Sequence, residues 1–327
     1  MNKNVLITGI TGQDGSYLAE LLLEKGYKVY GLVRRSSTPN YENIVGILSD
    51  IELIHGDLQD ESSLIRALEM SQPQEVYNLA AQSDVGASFE LPRLTTEINA
   101  MGVLRLLEAL KTTGLIDGIK FYQASTSELF GNSFDNPQTE LTRMKPRSPY
   151  AISKLYAHHM VRYYREAYGL WACCGILFNH ESPRRGLNFV TRKIARGVAR
   201  YKYGLQQTIE LGNMGACRDW GYAPDYVRAM WMMLQQEKPD DYVVATGEMH
   251  SVRELYIQAC IAADIRLDDS FLQIKPEHKR PSDVHYLRGD ASKIRAIGWE
   301  PSINFVELVH LMVGEELKHA TKERQIS

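Results

Sequence analysis

Cysteine is scarce and poorly spaced for chemistry. Four occur in 327 residues (Cys173, Cys174, Cys217 and Cys260), with no C-x-x-C pair and no ligand-like spacing to the nine histidines. That argues against a zinc site or a disulfide framework, so no metal is expected, and the thiols read as packing residues in a reducing, cytoplasmic setting. An excess of one charge is lacking too. With 37 Lys+Arg against 40 Asp+Glu the formal net charge is -3, so no basic field exists to hold nucleic acid or an anionic membrane, and any anion must be bound locally. No window approaches the ~18 consecutive apolar residues of a bilayer span, and Met1-Asn2-Lys3-Asn4 leads straight into a short apolar run. Neither targeting nor spanning is expected. Low-complexity linkers and internal repeats are missing as well, which predicts one continuous core.

What is present is an ordinary globular composition, 44% hydrophobic and 24% charged. At about 150 residues per domain, the length suits two domains or one large α/β domain with an insertion. Residues 5–8, 28–33, 51–54, 76–79 and 119–124 read as short buried strands, alternating with helical runs that include 64–70 and 102–110. Such alternation predicts parallel crossover units: an α/β fold with a doubly wound parallel sheet of the Rossmann type. After about residue 180, turn residues multiply (Ser182-Pro183, Leu211-Gly212-Asn213, Gly247, Arg280-Pro281) around one long apolar helix over 225–235. This predicts a smaller, irregular α/β C-terminal lobe. The expected division is 1–180 for a dinucleotide-binding domain and 181–327 for a mainly substrate-binding lobe, with some segments returning to the first. Met230, Trp231, Met233 and Leu234 read as core packing.

Gly9-Ile10-Thr11-Gly12-Gln13-Asp14-Gly15 follows the first predicted strand and opens the first helix. Glycines there permit a tight turn and close approach of backbone N–H groups to a pyrophosphate, which the helix N-terminus also stabilises. The end of the second strand selects the dinucleotide. An acidic residue would bond the ribose hydroxyls of NAD, whereas Arg34-Arg35-Ser36-Ser37 offers guanidinium forks and hydroxyls to a 2′-phosphate, so NADP is expected. Asp57-Leu58 after the third strand faces the adenine, and Leu79-Ala80-Ala81-Gln82-Ser83 after the fourth presents small residues where a cofactor crosses.

Tyr150 and Lys154 follow Ser148-Pro149, an N-cap residue and a proline suited to the first helical position. At i and i+4 they share a helix face, where the ammonium can depress the tyrosine pKa and hold a nicotinamide ribose. Ser125-Thr126-Ser127-Glu128 closes the preceding strand. Thr126 can bond the same substrate oxygen as Tyr150. Glu128 supplies a carboxylate that a plain reductase would not need: once a sugar's C4 hydroxyl is oxidised, its C5 proton is acidic and a positioned base can expel the C6 hydroxyl as water. The adjacent His158 and His159 read as helix-face residues.

These residues resemble the extended short-chain dehydrogenase/reductases and, within them, the GDP-mannose 4,6-dehydratase family over nearly the whole chain. The motifs are Gly9 to Gly15, Arg34 to Ser37, Tyr77 to Ser83, Thr126-Ser127-Glu128 and Tyr150 with Lys154. The later runs Leu177 to Gly186, Phe189 to Lys193 and Leu211 to Met214 match as well and are more diagnostic than the glycine turn. The resemblance implies catalysis by Thr126, Glu128 and Tyr150, cofactor contacts from Lys154, His180 and Arg185, and GDP-sugar contacts from Ser88, Asn179, Val190, Lys193, Arg218, Arg280 and Asp283. It implies a homodimer or homotetramer, with the Arg34 to Ser37 loop reaching a neighbouring subunit. The sequence departs from the family pattern at Leu94, where many relatives have tyrosine, and at Asp84. The expected substrate is GDP-D-mannose, with a GDP-manno-heptose as the alternative and a nucleotide-sugar 4-epimerase or 4-reductase as the nearest rival activity.

Overall fold

Short runs of apolar residues at the start of the chain become strands that bury both faces. The computed structural model describes residues 3–267, 269–275, 281–282, 284 and 286–326. Its main sheet contains β1 (Asn4–Thr8), β2 (Lys28–Val33), β3 (Ile51–His55), β4 (Glu75–Asn78), β5 (Lys120–Ala124), β6 (Trp171–Leu177) and β7 (Tyr242–Val244). Their spatial order is β7-β6-β5-β4-β1-β2-β3, and each neighbouring pair is parallel. The winding reverses between β1 and β4, the place where a doubly wound sheet opens a crevice at the carboxyl ends of its strands.

Successive side chains point to opposite faces, and the packing follows that period. Val5, Ile7, Tyr77, Tyr122 and Cys173 join one core cluster with α1 (Gln13–Glu24). Leu6, Val76, Phe121 and Cys174 join the other, against α2 (Glu61–Ser71), α3 (Gly102–Thr112) and α4 (Pro149–Tyr168). A third cluster lies within the smaller lobe, where Ile194 and Val198 of α5 (Val190–Lys202) meet Leu255 and Tyr256 and then Leu308 and Met312. The predicted helix over 225–235 exists as α6 (Ala223–Leu234), but it serves the first lobe: Met230, Met233 and Leu234 pack with the sheet beside α1. The strands β6 and β7 have no counterpart in the sequence reading. Cys173, Cys174 and Cys260 are buried thiols and Cys217 is a half-buried one. Among the described residues, no helix is long and apolar enough to cross a membrane and no group of three or more His, Cys, Asp or Glu could hold a metal ion.

Candidate functional site

At the carboxyl edge of the sheet lies a cleft of about 950 Å³, open to both lobes. A ladder of buried side chains locks its floor. Thr8 Oγ1 donates to Asn78 Oδ1 at 2.6 Å and accepts from the Leu79 and Ala80 N–H groups, each at 3.1 Å. Asn78 Nδ2 donates in turn to Gln123 Oε1 at 2.8 Å, so the ends of β1, β4 and β5 are held in one arrangement.

The β5–α4 wall carries the acid and base groups. Ser148 caps α4 by accepting from the Ala151 N–H at 3.1 Å, with Pro149 in the first position, as the sequence predicts. The helix therefore starts so that Tyr150 and Lys154 both face the cleft. On the strand side, Thr126 caps a short turn by accepting from the Glu128 N–H at 3.2 Å. Glu128 also lines the cleft, and its Oε1 lies 4.0 Å from Arg218 Nη2. Burial pushes the Tyr150 hydroxyl up to about 12, opposed by a hydrogen bond with Thr126 and reinforced by the Glu128 charge. Burial also pulls the Lys154 ammonium down to about 8, against the attraction of Asp14. Lys154 is anchored on the end of β5. Its Nζ donates to the Ala124 carbonyl at 3.0 Å, and the leading downward influences on Tyr150 are Thr126 and Arg185.

Opposite lies the glycine turn. Gly9 has φ +73°, and a Cβ on it would sit 2.8 Å from the Ala80 nitrogen; one on Gly15 would sit 2.3 Å from the Gly9 carbonyl oxygen. Only glycines close this turn, which lets β1 pass into α1 with Gly12 at the helix N-cap. Thr11, Gly12, Gln13 and Gly15 shape the turn without lining the cleft, whereas Asp14 lines it. Asp14 Oδ2 lies 2.8 Å from His180 Nε2, and His180 Nδ1 lies 2.7 Å from the Phe178 carbonyl. Burial opposes both charges, yet the pair prevails: the Asp14 carboxyl is held below and the His180 imidazole above its ordinary range. Gln13 bonds the His180 carbonyl at 3.1 Å and accepts from Ser182 at 2.9 Å, tying the turn to the second lobe.

Of the other predicted residues, Leu79, Ala81, Ser83, Asn179, Arg185, Val190, Lys193 and Arg218 line the cleft. Arg185 is held by Glu181, whose Oε2 lies 3.2 Å from its Nε and accepts from Thr191 at 2.6 Å, while its guanidinium stacks on Phe189 at 3.5 Å. Ala80 and Gln82 lie behind the lining, with the Gln82 N–H fixed on Asn99 Oδ1 at 2.8 Å. Leu58 is buried, Asp57 caps a turn through the Gln59 N–H, and Arg34, Arg35 and Ser36 are exposed at the end of β2. Ser88 is not brought to the cleft: it is fully buried, with its hydroxyl on the Val85 carbonyl at 2.7 Å. Arg280 and Asp283 lie outside the described residues. The sequence reading has no role for Glu181 or Trp220, which both line the cleft, nor for the inward orientation of His158. The i+4 spacing of His158 from Lys154 is the one signal that could have indicated it.

The chain matches the GDP-mannose 4,6 dehydratase family over residues 6–312. GDP-mannose 4,6 dehydratase 1 of Arabidopsis thaliana is 53% identical across 99% of this chain and 92% of its own length. The GDP-mannose 4,6-dehydratase of Vibrio cholerae is 48% identical across 98% of this chain and 96% of its own. Among solved structures, the UDP-glucose 4-epimerase of Thermus thermophilus, in complex with NAD, superposes with a TM-score of 0.85 at 30% identity, covering 95% of this chain and 98% of that one. RMD from Pseudomonas aeruginosa, complexed with NADPH, gives 0.80 at 26% identity over 98% and 99%. With its diagnostic motifs gathered around one cleft and matching relatives along nearly its full length, the chain belongs to the GDP-mannose 4,6-dehydratase family.

Proposed function

We propose that the cleft binds GDP-D-mannose and eliminates water from it, giving GDP-4-keto-6-deoxy-D-mannose. The observation that carries this reading is the position of Glu128 on the same wall as Thr126 and Tyr150. A 4-epimerase or 4-reductase would use Thr126, Tyr150 and Lys154 and would have no work for a carboxylate there.

Tyr150, hydrogen-bonded to Thr126, takes the proton from the sugar O4 as C4 is oxidised. Burial holds the hydroxyl protonated in the free cleft, so the base is the phenolate form, which the Thr126 hydrogen bond and the Arg185 charge favour. Glu128 then removes the acidified C5 proton as the C6 hydroxyl departs as water. Arg218 lies within ion-pair reach of Glu128, and with Lys193 it supplies cations for the diphosphate. Asn179 and Val190 complete the nucleotide-sugar side.

The cofactor class is a nicotinamide dinucleotide, and the turn fits one, because Gly9 and Gly15, where a Cβ would collide with the backbone of Ala80 and Gly9, keep it tight and bring the N-terminus of α1 to the strand end, where a pyrophosphate is stabilised. The chemistry such a cofactor supplies when bound is hydride acceptance from C4 and its return at C6. Lys154 presents its ammonium for the nicotinamide ribose, Asp14 and His180 hold the turn, and Arg185 stands across from them. NADP is the preferred form, on the strength of Arg34, Arg35 and Ser36 at the end of β2 in place of an acidic residue.

A cytoplasmic homodimer or homotetramer fits the outer face of α4, where Ile152, Tyr156 and Tyr163 are exposed at helical spacing; light scattering that returns the mass of one chain would refute the assembly. The activity itself is tested by incubation with GDP-mannose and catalytic NADP⁺. Ketone should form without lasting NADPH absorbance, and steady accumulation of NADPH would contradict the reading.

A further inference from the structure

His158 is a buried imidazole beside the cleft with no part in the chemistry above. It follows Lys154 by one turn of α4, is 0% exposed, and its Nδ1 lies 3.1 Å from Ser125 Oγ. Ser125 itself stands between Ala124, whose carbonyl holds Lys154, and Thr126, and it lines the cleft. Burial, opposed by Asp241 and reinforced by His159, Arg162 and Arg165, pulls the His158 imidazole down to about 4. The ring is therefore neutral at physiological pH and carries one N–H.

Which nitrogen carries that proton follows from what surrounds the ring. Nε2 is buried with no hydrogen-bond partner among the described residues. A proton on Nε2 would be a buried donor with no acceptor among the described residues, so we assign it to Nδ1, donated to Ser125 Oγ. The Ser125 O–H then has no acceptor among the described residues, since His158 is its hydrogen-bond partner there. Its proton is left for whatever occupies the cleft. Ser125 adjoins Ala124, whose carbonyl holds the Lys154 assigned to the cofactor's ribose, so the cofactor is the occupant its hydroxyl would meet.

We propose that Ser125 donates a hydrogen bond to an oxygen at the nicotinamide end of the cofactor, and that His158 is the positioning residue that turns the hydroxyl to do so. The proposal rests on the cofactor placement given under the proposed function. It assigns His158 a role through Ser125, and none in direct contact with substrate.

The test is NADPH binding to cofactor-stripped full-length protein, read by nicotinamide fluorescence, alongside kcat and KM for GDP-mannose. Ser125→Ala and His158→Phe should each weaken NADPH binding by about tenfold, the upper range for one hydrogen bond, with KM for GDP-mannose unchanged. The double variant should bind no more weakly than Ser125→Ala alone, as for two groups acting in series. His158→Asn, whose amide nitrogen takes the place of Nδ1–H, should return to within about threefold of the parent. Wild-type NADPH affinity in Ser125→Ala, additive losses in the double variant, or an asparagine variant no better than the phenylalanine would each overturn the proposal. Should His158→Phe fail to fold, Ser125→Ala and His158→Asn still decide it. NADPH affinity is measured without turnover, so a parent chain that makes no ketone from GDP-mannose would defeat the functional reading and leave this measurement decisive.

Discussion

The wall formed by β5 and α4 and the segment after β2 are equally rich in polar side chains, yet they are built in opposite ways. Thr126, Glu128, Tyr150 and Lys154 are at most 8% exposed, and short turns and caps fix the backbone that carries them. Arg34, Arg35 and Ser36 are exposed, and among the described residues the Ser36 hydroxyl bonds within its own loop, to the carbonyl and N–H of Thr38. Desolvation shifts both proton-carrying groups of the wall, Tyr150 up and Lys154 down, so their protonation is set by the groups and ligands around them rather than by bulk water. Groups that select a phosphate need only mobile positive charge, which stays hydrated until the anion arrives. The buried wall therefore bears the cost of preorganisation during folding, whereas the loop, under the proposed function, would acquire its geometry only with the 2′-phosphate or a neighbouring subunit.

The largest effect should come from breaking the wall. Glu128→Gln should lower ketone formation by about 10³-fold, within the range for a positioned base, while bound cofactor is still reduced slowly in a single turnover followed by NADPH absorbance. Full dehydratase activity in that variant would remove Glu128 from the chemistry. Reversing a charge in the loop should do less to turnover and more to selectivity. Arg35→Glu should weaken NADP⁺ binding by about 10- to 100-fold, as for loss of a charge-assisted contact, with little change for NAD⁺. The NADP⁺ affinity of the parent should also fall with salt. Equal losses for both dinucleotides would show that the loop never meets the 2′-phosphate.

A smaller effect sharpens the contrast through pH. The Lys154 ammonium titrates near 8 in the folded chain against 10.5 ordinarily. Between those values the unfolded chain holds a proton that the folded chain has released, so this group makes stability rise with pH across that window. Urea midpoints of cofactor-free protein, compared at about pH 8 and about pH 10, should therefore move upward less in Lys154→Met than in the parent; an identical difference would place Lys154 in water. The smallest effect belongs to the cap that aims the wall. Ser148→Ala should cost about 1 kcal/mol in thermal or urea unfolding, the usual value of an N-cap, and no loss would mean the helix start is set by packing alone.

The parts legible in the sequence are those with local signals. The glycine turn follows a strand and opens a helix, and Ser148-Pro149 announces the helix that carries Tyr150 and Lys154; both lie where those signals predict. β6 escapes because its residues Trp171 to Leu177 are apolar on both faces and show no alternation, and β7 is three residues whose partner lies far away in the chain. The helix α6 is visible as a helix, but its attachment to the sheet depends on long-range packing. His158 escapes for a related reason. Two adjacent histidines differ by only about 100° around a helix, and which one turns inward depends on how α4 packs on the sheet through Ala157 and Val161, which brings His158 to Ser125. The pairing of Asp14 with His180 likewise joins residues from the two ends of the first lobe.

The central claim is that one cleft oxidises C4, removes the C5 proton with Glu128 and returns the hydride to C6 of the same sugar. GDP-mannose deuterated at C4, incubated with the enzyme and followed by NMR, tests it directly. The account predicts a 4-keto-6-deoxy product with deuterium at C6, and with solvent deuterium at C5 when the reaction is run in D₂O. Deuterium released as free labelled NADPH, or returned to C4 of an intact hexose, would contradict it.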